Sequence, residues 1–178
     1  MGANGHDISA AGAARGPVPQ SAVVGAQARY REPVTPELDE LTGLPTLSHL
    51  VEQIQELQAE MRARPGPRRS VLPRATLVVV SLASGVDRHM AQFVRARTAS
   101  LLRALFADDE TIVQMRQGMF AVLTRDGRDM APECSFLESM LVEFDVDARV
   151  WTERVPADGP GTASLLSALL LAGEWTPA

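Results

Sequence analysis

The sequence contains no lysine, because all 17 basic residues among its 178 are arginines. This absence excludes a phosphate-loop lysine, a Schiff-base lysine and a lysine general base. The one cysteine, Cys134, cannot form an internal disulfide or a thiolate zinc site, so the chain fits a reducing compartment. A net charge of −5 gives no electrostatic reason to expect nucleic acid or an anionic membrane as a partner.

The N-terminus has no long apolar run. Residues 1–20 are glycine, alanine, proline and polar residues, too poor in large apolar side chains for a signal peptide or a membrane span. We therefore expect a soluble, cytoplasmic protein without a membrane partner. Residues 1–34 have no helical or strand period, which predicts a disordered arm. One folded domain is predicted over residues 35–178, since 46% apolar residues suffice for one core.

Apolar spacing predicts an α/β order of elements in that domain. Thr35-Pro36-Glu37 has the pattern of a helix start and predicts a short opening helix through Leu41. Helices are then expected near residues 46–64, 86–106, 130–141 and 163–172, and strands near 75–82, 111–116, 119–124 and 148–155. The strand at 75–82 is continuously apolar, which indicates a mid-sheet position buried on both faces. Gln117-Gly118 predicts a tight turn, giving a sheet with a central antiparallel hairpin flanked by helices.

Other catalytic and metal-binding patterns are missing. The histidines His6, His49 and His89 are far apart and have no metal-ligand spacing. Neither a Gly-x-Ser-x-Gly elbow nor a phosphate-binding glycine loop occurs. Residues 126–129, Asp-Gly-Arg-Asp, resemble a fragment of a calcium loop, but the rest of the ligand series is absent, which favours a simple turn.

Three fragments together resemble the GGDEF (diguanylate cyclase) family. Residues 39–45, Asp-Glu-Leu-Thr-Gly-Leu-Pro, resemble its opening motif Asp-x-Leu-Thr-x-Leu-Pro-Asn-Arg. The strand that ends at Ser81-Leu82 stands where the family strand carries its first metal-binding aspartate. Residues 114–123 stand where the family has Arg-x-Gly-Gly-Asp-Glu-Phe-x-x-Leu, and only the phenylalanine and the positions after it survive. The resemblance spans about Glu37 to Ala172 and implies a nucleotide-cyclase-like sheet.

The resemblance also implies that the catalytic site is degenerate. In the family, carboxylates on the first strand and the hairpin hold two magnesium ions that polarise GTP for attack by a ribose hydroxyl. The corresponding positions here are Ser81, Gly118 and Met119, none of which offers a charged oxygen ligand. The hairpin glycines are replaced by Arg116 and Gln117, whose side chains would fill the nucleotide's space. We therefore expect no catalytic residue, no metal, no cofactor and no diguanylate cyclase activity.

The nucleotide-recognition positions are replaced as well. The family asparagine that contacts the base aligns near His89, the later aspartate near Thr98, and the preceding lysine near Val86. Arg88, His89 and Arg116 remain as weak nucleotide-binding candidates, although an exposed hairpin arginine and a surface histidine are the commoner cases.

The family's inhibitory cyclic di-GMP site is an Arg-x-x-Asp motif ahead of the hairpin. Residues 107–110, Ala-Asp-Asp-Glu, occupy that place, so the arginine is lost and three carboxylates would repel the ligand. The closing family helix, with its basic end, is replaced by the leucine-rich segment 163–172.

Two functions are compatible with these residues. The leading hypothesis is an inactive regulatory domain that acts in bacterial signalling through an unidentified protein partner, with a homodimer or heterodimer left open. Its contact surfaces would be the opening helix and the last helix, although ordinary core packing also explains the leucines. The second hypothesis is a non-catalytic receptor for cyclic di-GMP or GTP, whose phosphates would meet guanidinium groups. The candidate arginines are Arg88, Arg95, Arg97, Arg103 and Arg116.

Overall fold

The computed structural model describes residues 35–63, 75–83, 88–106, 109–125 and 127–172. In chain order its elements are α1 (Leu47–Ala63), β1 (Thr76–Leu82), α2 (Arg88–Leu105), β2 (Thr111–Arg116), β3 (Met119–Thr124), α3 (Ala131–Glu143), β4 (Ala148–Arg154) and α4 (Gly159–Ala172). These elements match the predicted order. The predicted disordered arm, residues 1–34, lies outside the described residues.

The four strands form one sheet in the order β2-β3-β1-β4, and all neighbours are antiparallel. Since β3 lies between β1 and β2, the segment β1-α2-β2 is a split β-α-β unit. Gly118, with φ of 75°, provides the turn that joins β2 to β3, as predicted. β2 is an outer strand, and its Gln114 N–H donates to Pro45 O at 2.9 Å. The segment before α1 therefore packs along the β2 edge.

Two helices cover each face of the sheet. Val78 and Val80 of β1 point into a cluster with α2 and α3, whereas Leu77 and Val79 point into a cluster with α1 and α4. Alternate residues of a strand face opposite sides, so a strand buried on both faces must be apolar throughout. This confirms the mid-sheet position predicted for β1.

The last helix begins four residues earlier than predicted. The Asp158 carboxylate accepts a hydrogen bond from Gly161 N at 2.6 Å, which caps the start of α4. Leu166 and Leu169 are buried against the sheet, but Leu171 is 82% exposed. Core packing therefore accounts for the buried leucines of α4 and leaves Leu171 on the surface.

The predicted opening helix at Thr35 to Leu41 was wrong. Leu38 instead forms an antiparallel bridge with Pro45. The Asp39 side chain accepts hydrogen bonds from the N–H groups of Leu41 and Thr42, at 3.2 and 2.8 Å. An aspartate that binds backbone two or three residues ahead stabilises a turn in competition with a helix. Residues 38–45 are called the opening loop below.

Candidate functional site

The positions aligned with the family's metal ligands meet at one end of the two inner strands, where β1 ends beside the turn between β2 and β3. Ser81 is paired with Met119 across β1 and β3, and Leu82 N donates to Gly118 O at 2.8 Å. A Cβ atom added at Gly118 would lie 3.7 Å from Leu82 Cβ, so the turn passes close to the end of β1. We call Ser81, Leu82, Gly118 and Met119 the β1-hairpin edge.

The side chains at the β1-hairpin edge supply little for a cation. Ser81 is 2% exposed, and Met119 is fully buried in the cluster with α1 and α4. Gly118 has no side chain, so the three aligned positions offer one hydroxyl and no charge. Two magnesium ions beside a triphosphate require carboxylate oxygens. Within the described parts of the chain, no three histidine, cysteine, aspartate or glutamate residues converge as a metal site would require.

The two residues that replace the hairpin glycines differ in exposure. Gln117 is exposed at the turn, whereas Arg116 is half-buried rather than fully exposed. Arg116 lines a cleft of about 320 Å³ together with Glu37 and Asp39. These two carboxylates lower the positive potential that an arginine would otherwise present to a phosphate.

The two described positions aligned with base recognition, His89 and Thr98, both lie on α2. His89 is exposed on the first turn of α2, the helix that Arg88 begins. Thr98 is 1% exposed, and its hydroxyl donates to Val94 O within the same helix at 2.9 Å. Val86 lies outside the described residues.

The two acidic segments singled out in the sequence have structural partners. In residues 107–110, Ala107 and Asp108 lie outside the described residues, and Glu110 accepts a hydrogen bond from Arg128 at 2.9 Å. In residues 126–129, Asp126 is outside them, and the Asp129 carboxylate accepts from Ala131 N at 3.0 Å at the start of α3. The carboxylates of Glu110 and Asp129 therefore stabilise the local structure.

Sequence reasoning missed a polar junction between the opening loop and β2. Gln114 Nε2 lies 3.2 Å from Asp39 Oδ2, and Thr42 Oγ1 lies 2.8 Å from both Asp39 Oδ1 and Gln114 Oε1. The single hydroxyl proton of Thr42 can serve only one of these two acceptors. Arg103 of α2 donates to Thr42 O at 2.7 Å, which fixes the loop from the other side.

All three residues of the junction lie in sequence fragments that resemble the family, but the fragments do not indicate that these residues contact one another. Asp39 and Thr42 belong to the opening motif, and Gln114 takes the place of the family arginine ahead of the hairpin. Hydrophobic periodicity cannot relate residues that are 75 positions apart. At the position where the family has an arginine, the neutral side-chain amide of Gln114 contacts the Asp39 carboxylate.

The junction sets the ionisation of Asp39. Burial raises the pKa of this carboxyl, but hydrogen bonds from Thr42 and Leu41 and the nearby charge of Arg95 outweigh it, so the pKa lies below its ordinary value of 3.8. A lowered pKa stabilises the folded state at pH values above 3.8, and that contribution is lost as the pH falls through the lowered value.

Asp39→Asn is therefore expected to lower the free energy of unfolding by about 1 kcal/mol at neutral pH. The difference in the free energy of unfolding between Asp39→Asn and the parent chain should shrink under acidic conditions, because protonation makes the parent carboxyl neutral, as the asparagine amide already is. Unfolding by urea at both pH values measures this difference. Glu40→Gln is the matched control, since Glu40 is an exposed neighbour. An equal loss at both pH values would contradict an electrostatic role for Asp39.

Cys134 is half-buried on α3. Burial raises the pKa of its thiol, and Glu138, Glu133 and Asp129 raise it further. A thiol with a raised pKa is a poor nucleophile at neutral pH.

Neither a family model nor a curated protein matches the chain. Solved structures do match. The GGDEF domain of FimX from Pseudomonas aeruginosa superposes with a TM-score of 0.56 at 13% identity, over 79% of this chain and 94% of that one. The GGDEF domain of DgcB from Caulobacter crescentus, solved in complex with c-di-GMP, gives a TM-score of 0.54 at 13% identity, over 76% and 88%. The chain has a GGDEF-like fold.

A further similar structure comes from a complex. Diguanylate cyclase SiaD from Pseudomonas aeruginosa, solved with its activator SiaC, gives a TM-score of 0.56 at 14% identity over 77% of this chain. This chain spans 57% of the SiaD chain. The likeness confirms the GGDEF-like fold predicted from the sequence fragments, and at these identities it concerns the fold alone. None of the helices in the described ranges is both long and apolar enough to span a membrane.

Proposed function

We propose that this chain is a catalytically inactive GGDEF-like domain that regulates bacterial signalling through protein-protein interaction. The observation that carries the proposal is the composition of the β1-hairpin edge. Ser81 lies beside the Gln117-Gly118 turn. The positions that the sequence resemblance aligns with the family's magnesium ligands are Ser81, Gly118 and Met119, and they carry no carboxylate. A cytoplasmic location is part of the proposal.

The physical argument concerns charge. GTP carries several negative charges on its phosphates, and paired magnesium ions need protein carboxylates to fix them in position for in-line attack. A serine hydroxyl, a glycine backbone and a buried thioether supply neither negative charge nor a set of hard ligands. The fold then remains as a rigid scaffold whose surface is available for partners.

A non-catalytic nucleotide receptor is the second candidate. A cleft of about 400 Å³ lies beside the opening loop and is lined by Gly43, His49, Arg103 and Glu110. Arg103 is one of the arginines that the receptor hypothesis names. Two features weaken the case, because Arg103 already donates to Thr42 O and because Glu110 places a carboxylate in the same cleft.

Calorimetric titration separates the two candidates. Under the interaction proposal, GTP with magnesium and cyclic di-GMP both give no heat of binding below the millimolar range. Micromolar binding that is lost in Arg103→Ala would establish the receptor instead. Arg154→Ala is the matched control, because Arg154 is exposed at the end of β4, away from this cleft.

A further inference from the structure

β4 is an outer strand of the sheet. In the order β2-β3-β1-β4 it pairs with β1 alone. Among the described residues no strand or isolated bridge lies on its other edge, whereas the outer edge of β2 is bridged by Thr46. Backbone N–H and C=O groups on such an edge can pair with a further strand.

The ladder between β1 and β4 determines which residues of β4 present these groups. Val155 N donates to Ala75 O at 3.0 Å, and Ala83 N donates to Asp147 O at 2.9 Å, at the two ends of the ladder. In an antiparallel ladder, hydrogen-bonded pairs alternate with pairs that are not hydrogen-bonded. The odd-numbered residues of 147–155 therefore direct their backbone groups at β1, and the even-numbered ones direct theirs outward. The outward-directed residues of the strand are Ala148, Val150, Thr152 and Arg154.

The sequence of β4 is suited to pairing with itself. The strand has seven residues, Ala-Arg-Val-Trp-Thr-Glu-Arg, with Trp151 at its centre. A twofold axis at Trp151 would pair two copies of β4 antiparallel along their whole length, which we call the central register. Arg149 of each copy would then lie opposite Glu153 of the other, and opposite charges in facing positions stabilise a pair of strands. Thr152 would lie opposite Val150, so that their outward backbone groups bond to each other.

The neighbouring registers are less favourable. An axis at Val150 would place Glu153 opposite Asp147, and like charges in facing positions are destabilising. An axis at Thr152 would separate Arg149 from Glu153. The backbone and the charges therefore favour the same register, and this agreement identifies a second copy as the strand that fits the edge.

The side chains at the centre of this register share one face. Arg149, Trp151 and Glu153 alternate along the strand, so all three lie on the side of the sheet that Trp151 shares with α1 and α4. The guanidinium carbon of Arg149 lies 5.3 Å from the centroid of the Trp151 ring of its own chain. The twofold axis would bring the two Trp151 rings together between the Arg149-Glu153 pairs, in positions where facing side chains approach most closely.

We infer that the occupant of the open β4 edge is a second copy of this chain. The two β4 strands pair antiparallel in the central register and join the two sheets into one. This inference deepens the proposed interaction role and rests on it, because it names the partner.

Sedimentation equilibrium over a range of protein concentrations tests the inference. The parent chain should dimerise. Thr152→Pro removes an N–H that points away from β1, so each copy keeps its own ladder while the dimer loses hydrogen bonds. The dissociation constant should rise by about tenfold or more. Thr152→Ala is the matched control, because it retains the N–H, and it should dimerise nearly as well as the parent chain.

A charge exchange tests the central register. Arg149→Glu and Glu153→Arg each place like charges in facing positions, so each variant alone should dimerise about tenfold more weakly. When the two variants are mixed, both facing pairs again join opposite charges, and a heterodimer should form. Urea unfolding verifies that all variants are folded, and should Thr152→Pro fail to fold, the charge exchange still decides the question.

Amide hydrogen exchange measured by NMR locates the contact. The N–H groups of Val150 and Thr152 should exchange slowly at high protein concentration and rapidly on dilution, whereas that of Trp151, which faces β1, should stay protected at both. Protection of Thr152 in a monomer, independent of concentration, would mean that another segment of the same chain occupies the edge and would overturn the dimer.

The inference is also overturned if the parent chain stays monomeric at millimolar concentration, or if Thr152→Pro and Thr152→Ala dimerise alike. A monomer that makes no cyclic di-GMP and binds a different protein would overturn the dimer and leave the proposed function intact. Dimerisation together with GTP turnover would have the reverse meaning, because the proposed inactivity would fail while the dimer stood.

Discussion

Ser81→Asp, which puts a carboxylate at the position that the sequence resemblance aligns with the family's first metal ligand, is expected to lower the free energy of unfolding by about 3 kcal/mol. Ser81 is 2% exposed in β1, an inner strand of the sheet, between Met119 of β3 and Arg149 of β4. Ionising a carboxylate at so buried a position costs the solvation of its charge. Urea unfolding at neutral pH measures the loss.

Arg149 is the cation in register with this position, and its guanidinium carbon lies 5.3 Å from the centroid of the Trp151 ring. Partial pairing with Arg149 would reduce the cost of the new carboxylate. The double variant Ser81→Asp with Arg149→Ala should therefore lose more free energy of unfolding than the sum of the losses of the two single variants. Ser81→Ala is the size-matched control for the hydroxyl and should cost about 1 kcal/mol.

Adding magnesium and GTP to Ser81→Asp tests whether one carboxylate is enough to complete a metal site. Because Gly118 and Met119 offer no oxygen side chain, magnesium with GTP should not restore stability to Ser81→Asp. A variant as stable as the parent chain, or one that gains stability when magnesium and GTP are added, would contradict this account.

Much of the fold was predictable because its signals are local. The alternating burial of β1 requires a continuous apolar run, and the turn at Gly118 requires a residue that tolerates positive φ. The survival of Phe120 in the hairpin motif also has a local explanation, because its side chain is fully buried. Phe120 therefore belongs to the core.

The wrong prediction of an opening helix and the missed junction both involve contacts between residues that are distant in sequence. Thr35-Pro36-Glu37 carries a valid local helix signal, but the pairing of Leu38 with Pro45 and of Thr46 with Gln114 holds that segment against β2. Local propensity cannot anticipate such pairing. The junction of Asp39, Thr42 and Gln114 was missed for the same reason.

Two exposed phenylalanines, Phe93 of α2 and Phe136 of α3, show a different limit of sequence patterns. Phe93 was part of the apolar pattern that predicted a helix, and Phe136 was part of another such pattern. Periodicity identifies an apolar stripe but does not say whether the fold covers it. Only the packed structure shows that Phe93 and Phe136 remain exposed.

A chain without the magnesium ligands should form no cyclic di-GMP from GTP, and this is the second large effect that we expect. Enzymes of this chemical type depend on metal ions to stabilise charge on the transferring phosphoryl group, so losing the ligands removes turnover rather than reducing it slightly. An assay needs a high protein concentration, magnesium and manganese in separate reactions, and an active diguanylate cyclase as the positive control.

The decisive measurement is therefore product formation from GTP by the purified full chain, with Ser81→Ala prepared in the same way. We predict that neither protein yields cyclic di-GMP above the protein-free blank. Product that increases in proportion to the parent chain, stops when the metal is chelated and is absent with Ser81→Ala would contradict the claim that the β1-hairpin edge is inactive.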